Sequence, residues 1–246
     1  MLETYPADRP LVEIVKVTKV YSPDIVALQN ISLSVAKGEL LFLTGRSGAG
    51  KTTLLKLICC VEKPNKGVIE IAGKDLNKLS SPNIQALRRE TGVAYQDFKI
   101  LPRQTVYRNI AIAMEVNYTA AKVIKKRIDE LLDVLKLTHK RNIPAGKLSR
   151  GEQQRVAIAR AAATKPPLIL ADEPTGNLDP AMSLQVMGLF EKLNEGGSTI
   201  IIATHDETLY KNNRYRKVDL HYGQFATQST LPGFLPPANG NQQKLI

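Results

Sequence analysis

The feature that most restricts this chain is Gly45-Arg-Ser-Gly-Ala-Gly-Lys-Thr-Thr53, set between an apolar run at residues 39–44 and a helical pattern at residues 52–58. The spacing fits G-x-x-x-x-G-K-[ST], a strand–loop–helix unit whose backbone wraps phosphate groups. Gly48 and Gly50 let the backbone turn and approach a ligand with no side chain in the way. The amides of residues 48–53 then point at phosphate oxygens, at a helix N-terminus that favours anions. The candidate nucleotide-binding residues are therefore Gly45, Arg46, Ser47, Gly48, Ala49, Gly50, Lys51, Thr52 and Thr53. Lys51 is placed to reach the β- and γ-phosphates, and Thr52 to offer its hydroxyl to Mg²⁺.

Strands and helices alternate on both sides of this unit. Residues 11–44 read as several short strands with turns at Ser22-Pro23-Asp24 and Lys37-Gly38, and residues 67–72 as another. Residues 83–90 read as a helix and residues 92–95 as a short buried strand. From about 97 to 163 the pattern is mainly helical. Within it Val123, Ile124, Ile128, Leu131, Leu132 and Leu135 recur at helical spacing. A strand at 168–171, a helix at 180–195 ended by Gly196-Gly197, and a β-branched strand at 198–203 follow. The alternation implies an α/β fold with a mostly parallel sheet covered on both faces, and a helical block at 97–163 inserted as a second lobe. After Gly223 the pattern fades, and residues 229–246 read as a largely disordered tail.

No apolar run approaches the 18 or more residues that would span a bilayer, and the N-terminus has no apolar signal core, so the chain is expected to stay in the cytosol. The two cysteines, Cys59 and Cys60, are adjacent and read as buried apolar filler. The net charge is +11. Its local excess at Lys122, Lys125, Lys126 and Arg127, and again at Lys136, Lys140, Arg141 and Lys147, reads first as a solvated helical face and next as a stance near an anionic membrane. Nucleic acid is set aside as a partner, since no nucleic-acid module or aromatic platform accompanies the charge.

Two further segments carry chemistry. Leu168-Ile-Leu-Ala-Asp172-Glu173 is an apolar strand followed by two acids, which a parallel sheet delivers to its ligand edge. Asp172 there is a ligand for Mg²⁺, and Glu173 orients and polarises the attacking water. His205, after the strand at 199–204, is placed to bond a γ-phosphate oxygen. Gln96, after Gly92-Val-Ala-Tyr95, is placed to reach Mg²⁺ or the water. In Leu148-Ser-Arg-Gly-Glu-Gln-Gln-Arg155, Ser149 and Glu152 form a capping box at the start of a helix. That helix end is a second phosphate site on a different lobe, which suggests one nucleotide shared between two chains.

Together the phosphate loop, Gln96, Leu148-Ser-Arg-Gly-Glu152, Asp172-Glu173, Asn177-Leu-Asp179 and His205 resemble, in kind and in order, the nucleotide-binding subunits of ABC transporters, over roughly residues 11–225. The resemblance implies a P-loop NTPase: a RecA-like mostly parallel sheet, an N-terminal antiparallel β-subdomain and an inserted α-helical subdomain. It implies one ATPase domain at 11–228, with its core at about 11–96 and 164–228 and its helical part at about 97–163. Residues 1–10 form an N-terminal extension. ATP and Mg²⁺ are the implied ligands. Two copies are implied to pack head to tail as a homodimer on ATP binding, with Ser149, Arg150, Gly151, Glu152 and Asp179 acting in trans. Tyr21 is implied to stack on adenine. One residue departs from the family pattern, since Arg150 stands where a glycine is usual.

Within the family, the run at 172–179 points to the branch of lipoprotein-release, macrolide-export and cell-division ATPases. Gln96-Asp-Phe-Lys-Ile-Leu-Pro102 and Thr105-Val-Tyr-Arg-Asn109 look most like the FtsE family of cell-division ATPases. That resemblance implies an integral membrane FtsX-like partner whose cytoplasmic helix docks beside Gln96, a peripheral place on the cytoplasmic face of the plasma membrane, and control of cell-wall hydrolysis. Phe98, Ile100, Leu101, Pro102, Val106 and Tyr107 would supply part of the lobe's core and part of that groove. An ATPase subunit of a lipoprotein or macrolide exporter is the alternative. A soluble ABC ATPase acting on DNA or ribosomes lacks its usual coiled-coil insertion here, and a P-loop kinase leaves residues 148–155 unexplained.

Overall fold

A computed structural model describes residue 2, residues 4–211 and residues 214–228. The tail expected at 229–246 lies outside the described residues. Among the described residues ten strands and seven α-helices run in the order β1 (Pro10–Tyr21), β2 (Ile25–Ala36), β3 (Leu40–Thr44), α1 (Lys51–Ile58), β4 (Lys66–Ile71), β5 (Lys74–Asp75), α2 (Ser81–Arg89), β6 (Thr91–Ala94), α3 (Val106–Glu115), α4 (Ala121–Val134), α5 (Arg150–Ala162), β7 (Leu168–Asp172), α6 (Pro180–Glu195), β8 (Thr199–Ala203), α7 (Glu207–Tyr210), β9 (Arg216–His221) and β10 (Gln224–Gln228).

Two sheets organise the chain. One is antiparallel, in the order β2-β1-β4-β5; the other has six strands in the order β10-β9-β3-β8-β7-β6. In the second, β3, β6, β7, β8 and β9 pair in parallel and only β10 is antiparallel. Strand alternation divides its apolar side chains between two cores. Phe42, Ile169, Ala171, Ile200 and Ile202 face the helices α3–α6. Leu41, Leu43, Leu168, Leu170 and Ile201 face α1 and the antiparallel sheet. Burial on both faces is why β3, β7 and β8 read as nearly unbroken apolar runs.

Several sequence expectations need correction. Residues 10–36 make two long strands rather than several short ones. Their alternation breaks because bulges interrupt the register, as between Ile14 and Val17, with Lys16 and Asn30 in the left-handed region at φ 50° and 49°. The sheet also continues past residue 215 through β9 and β10. In β9 only Val218 and Leu220 are buried, so the strand reads as polar. On α4 the buried stripe is Ile124, Ile128, Leu131 and Leu132, while Val123 is 53% exposed, one position off the stripe. Cys59 is buried, but Cys60 lies past the end of α1 at φ 57° and is half-buried. The basic cluster is partly spent within the fold. Arg127 donates to the Ala162 and Ala163 carbonyls at 3.0 and 3.2 Å, and Lys140 meets Glu152 at 3.5 Å.

α3, α4 and α5 lie between β6 and β7 in the chain, and α5 seats directly on β6. A Cβ at Gly92 would stand 2.1 Å from the Ala161 carbonyl oxygen and 2.8 Å from Pro166 Cγ. Gly188 on α6 faces open space, with nothing within 4 Å of a Cβ. Urea unfolding should therefore separate the two sites in sign. Gly92→Ala costs about 2 kcal/mol through overpacking, whereas Gly188→Ala adds about 0.5–1 kcal/mol by lowering the entropy of the unfolded chain.

Candidate active site

The C-terminal ends of the neighbouring strands β3, β8, β7 and β6 open onto one edge, the edge where open α/β sheets bind ligands. Residues 45–50 leave β3 there and lead into α1. Gly45, Gly48 and Gly50 all take positive φ, at 137°, 79° and 109°. At Gly45 and Gly50 sterics also demand glycine, since a Cβ would stand 2.2 Å from the Leu220 carbonyl oxygen and 2.5 Å from that of Ala27. Gly50 is the N-cap of α1 and supplies no side-chain acceptor, so the first turn presents its amides to the loop's concave side.

Lys51 is buried and folds back over this loop. Its Nζ donates to the Gly45 carbonyl at 2.7 Å and the Arg46 carbonyl at 3.2 Å, and lies 3.3 Å from Glu173 Oε1. β7 brings Asp172 and Glu173 to the same edge. Glu173 sits just past the strand in the left-handed region, at φ 48°. Its N–H donates to the Ala203 carbonyl of β8 at 2.8 Å. Its Oε1 lies 2.8 Å from His205 Nδ1, and its Oε2 accepts from the Thr204 hydroxyl at 3.2 Å and the His205 N–H at 3.4 Å. Lys51, Glu173, Thr204 and His205 thus form one bonded cluster, contributed by three strand ends.

Asp172 is 5% exposed, and its Oδ1 has no hydrogen-bond partner. Burial pushes its carboxyl above the ordinary range, against a bond from the Thr52 hydroxyl; the Glu173 charge pushes the same way, and Lys51 and Lys56 oppose. A buried carboxylate oxygen left unpaired beside a hydroxyl is a donor set that fits a hard divalent cation.

Other expected residues take positions around this cluster. Gln96 follows β6 and is exposed, outside the bonded set. Tyr21 ends β1 in the antiparallel sheet, with Lys19 Nζ 4.9 Å from its ring centroid. Ser149 and Glu152 form the capping box, with the Ser149 N–H donating to Glu152 Oε2 at 2.8 Å and the Glu152 N–H to the Ser149 hydroxyl at 3.3 Å. Slight burial raises the Glu152 carboxyl, but the bonds to Ser149 and the Lys140 charge outweigh it and hold it below its ordinary value. Arg150, the first residue of α5, is exposed, and Gly151 packs close to Asn177, where a Cβ would lie 2.9 Å from the carbonyl oxygen. Asp179 caps α6, its Oδ1 accepting from the Met182 N–H at 2.9 Å.

Two residues were not singled out from the sequence. Gln154, 3% exposed, donates to the Glu173 carbonyl at 2.7 Å and accepts from the Asn177 N–H at 3.2 Å. Arg160 donates to the Phe98 and Lys99 carbonyls at 2.8 and 2.7 Å. The signal for Gln154 was a polar residue on the apolar face of a helix.

The raised Asp172 carboxyl has a consequence for stability. The native state holds its proton to higher pH than the unfolded chain does, so its ionisation weakens the fold as pH rises through that window. Asp172→Asn should therefore unfold at higher urea than the native chain at pH 7–8, with the gap closing as the pH falls toward the ordinary carboxylate range.

The family described as ABC transporter matches residues 28–176. The cell division ATP-binding protein FtsE of Bacillus subtilis (strain 168) is 43% identical over 213 residues, covering 87% of this chain and 93% of that protein. The cell division ATP-binding protein FtsE of Escherichia coli (strain K12) is 45% identical over 208 residues, covering 84% and 93%. Among solved structures, the dimeric post-hydrolysis state of the ATP-binding cassette MJ0796 bound to ADP and Pi superimposes with a TM-score of 0.84 at 35% identity, covering 91% of this chain and all of that one. With strand ends that gather a phosphate loop, paired acids and a histidine at one edge, the chain belongs to the ABC transporter family as one of its ATP-hydrolysing cassettes.

Proposed function

We propose that this chain is the ATPase subunit of an FtsE–FtsX-like complex, in which ATP-driven pairing of two copies acts on an integral membrane partner that controls cell-wall hydrolysis in division. The observation that carries the reading is identity of 42–45% over most of the chain to proteins named for cell division in Bacillus, Streptococcus and Escherichia. No helix among the described residues is long and apolar enough to cross a membrane, which fits a peripheral subunit held at the cytoplasmic face by its partner. A groove of about 560 Å³ is lined by Arg88, Arg89, Tyr95, Val116 and Arg160, with Tyr95 next to Gln96 in the chain, and would receive the partner's helix. Leu101 is 39% exposed at this lobe, whereas Phe98 and Val106 are buried in its core.

The bonded cluster supports a division of labour. On nucleotide binding the Lys51 ammonium exchanges its carbonyl and Glu173 partners for the β- and γ-phosphate oxygens, and the loop amides of residues 48–53 take the rest of the charge. Thr52 and Asp172 would hold Mg²⁺, with Gln96 reaching the site from the β6 side; the ion would supply neutralisation of phosphate charge. Glu173, released from Lys51, accepts a hydrogen bond from the attacking water. That water's oxygen bonds to the γ-phosphorus as the bond to the β–γ bridging oxygen breaks, giving ADP and phosphate. His205 bonds the γ-phosphate and keeps its hold on the Glu173 carboxylate. Tyr21 stacks on the adenine. Ser149, Arg150, Gly151, Glu152 and Asp179 of the second copy close the site.

Glu173→Gln should keep ATP affinity within about threefold, abolish turnover and trap the closed dimer, whereas Lys51→Ala should lose affinity itself. Single-turnover hydrolysis and equilibrium nucleotide binding read the two apart. Tagged Glu173→Gln, recovered from gently solubilised membranes with ATP and Mg²⁺, should bring down a membrane protein associated with cell-wall hydrolases. Recovery of a lipoprotein-release or efflux permease instead would move the task to export and leave the chemistry in place.

A further inference from the structure

The backbone at Glu173 is in a conformation that a side chain-bearing residue disfavours. Its φ of 48° is left-handed, and such a residue persists only where its surroundings over-determine it. Three groups hold that backbone. The Ala203 carbonyl takes its N–H at 2.8 Å, and its own carbonyl accepts from the Gly176 N–H at 3.3 Å and from Gln154 Nε2 at 2.7 Å. The first comes from β8 and the second from the same loop. Gln154 is the contribution of α5, the helix whose first turn carries Ser149 and Arg150.

The Gln154 amide uses both ends. While its nitrogen donates to Glu173, its oxygen accepts from the Asn177 N–H at 3.2 Å, so a single side chain ties the beginning of the loop at 173–177 to its end. The side chain is 3% exposed, so water does not replace a lost bond cheaply. One turn earlier, the Gly151 Cα packs on the same loop, with room for no Cβ beside the Asn177 carbonyl. The first two turns of α5 are therefore tied directly to the loop that carries Glu173.

We propose that Gln154 is a positioning residue for hydrolysis: by holding the Glu173 carbonyl it fixes the direction of the Glu173 carboxylate, and it couples that direction to the placement of the Ser149 end of α5. The site that a chain completes in its partner is thereby mechanically linked to its own water-orienting group. The bonds of Glu173 Oε1 and Oε2 to His205 and Thr204 do not pass through Gln154, so its removal would cost the carboxylate its aim rather than its place in the site. The effect falls on the chemical step and not on nucleotide binding, because Lys51 and the loop at 45–50 do not touch Gln154. The inference rests on Glu173 being the water-orienting residue.

The test compares Gln154→Ala and Gln154→Glu with the native chain and Glu173→Gln, by single-turnover ATP hydrolysis at dimer-saturating concentrations of the full chain, with KM for ATP and thermal stability measured alongside. Gln154→Glu keeps an acceptor for Asn177 and nearly the same volume but loses the donor to Glu173, so it stays informative if Gln154→Ala does not fold. Both variants should lose roughly ten- to hundred-fold in the hydrolysis rate, with KM changed less than about threefold. A Gln154→Glu chain that hydrolyses within threefold of native, or one whose rate loss is matched by an equal rise in KM, overturns the proposal while leaving Glu173 in its role. Normal turnover by Glu173→Gln would overturn both.

Discussion

The pairing of Lys51 with Glu173 is the constraint on which the rest of the site depends. Lys51 is buried at 6% side-chain exposure and Glu173 at 12%, 3.3 Å apart. A buried ammonium without compensation is costly, and here two loop carbonyls and one carboxylate supply it. Under the proposed function the same atoms would engage a triphosphate. In the free chain Lys51 and Glu173 thus neutralise each other, and under the proposed function the substrate would separate them. Asp172 is buried with one oxygen unpaired, a state that a divalent cation would relieve.

The sheet explains how residues so distant in sequence meet. Parallel pairing of β3, β8, β7 and β6 places four strand ends on one edge, and each end hands over a short polar segment. α5 adds a second level of organisation. It reaches the loop at 173–177 through Gln154 and the segment at 98–99 through Arg160. Phe98, Lys99 and Glu173 are all non-glycine residues at positive φ, at 62°, 46° and 48°, and each offers its carbonyl to an α5 side chain. Backbone strain at residues 98, 99 and 173 is thus held from one helix.

Much of this was legible in the residues because local rules and tertiary demands agreed. The central strands β3, β7 and β8 are nearly unbroken apolar runs followed by polar or glycine-rich segments, so strand and ligand edge could both be read. α6 has its limits marked by Asp179 and Pro180 at one end and Gly196 at the other, and it runs as its sequence indicates. The capping box at Ser149 and Glu152 is a purely local bond pair. What escaped reading depends on long-range contacts. β9 carries Arg216, Lys217 and Asp219 among its six residues and is a strand because β3 pairs with it. Gln154 is marked only as a polar residue on the apolar face of α5, and its meaning comes from two backbone groups 19 and 23 residues away. Val123 fits the helical period and still faces solvent, since the period alone does not say where a stripe ends.

The most direct measurement is a crystal structure of the full chain with a non-hydrolysable ATP analogue and Mg²⁺. The account predicts that Lys51 Nζ leaves Glu173 Oε1 and the Gly45 carbonyl for the β- and γ-phosphate oxygens, while Glu173 keeps its bonds to His205 and Thr204. A bound triphosphate with Lys51 still paired to Glu173 would contradict it.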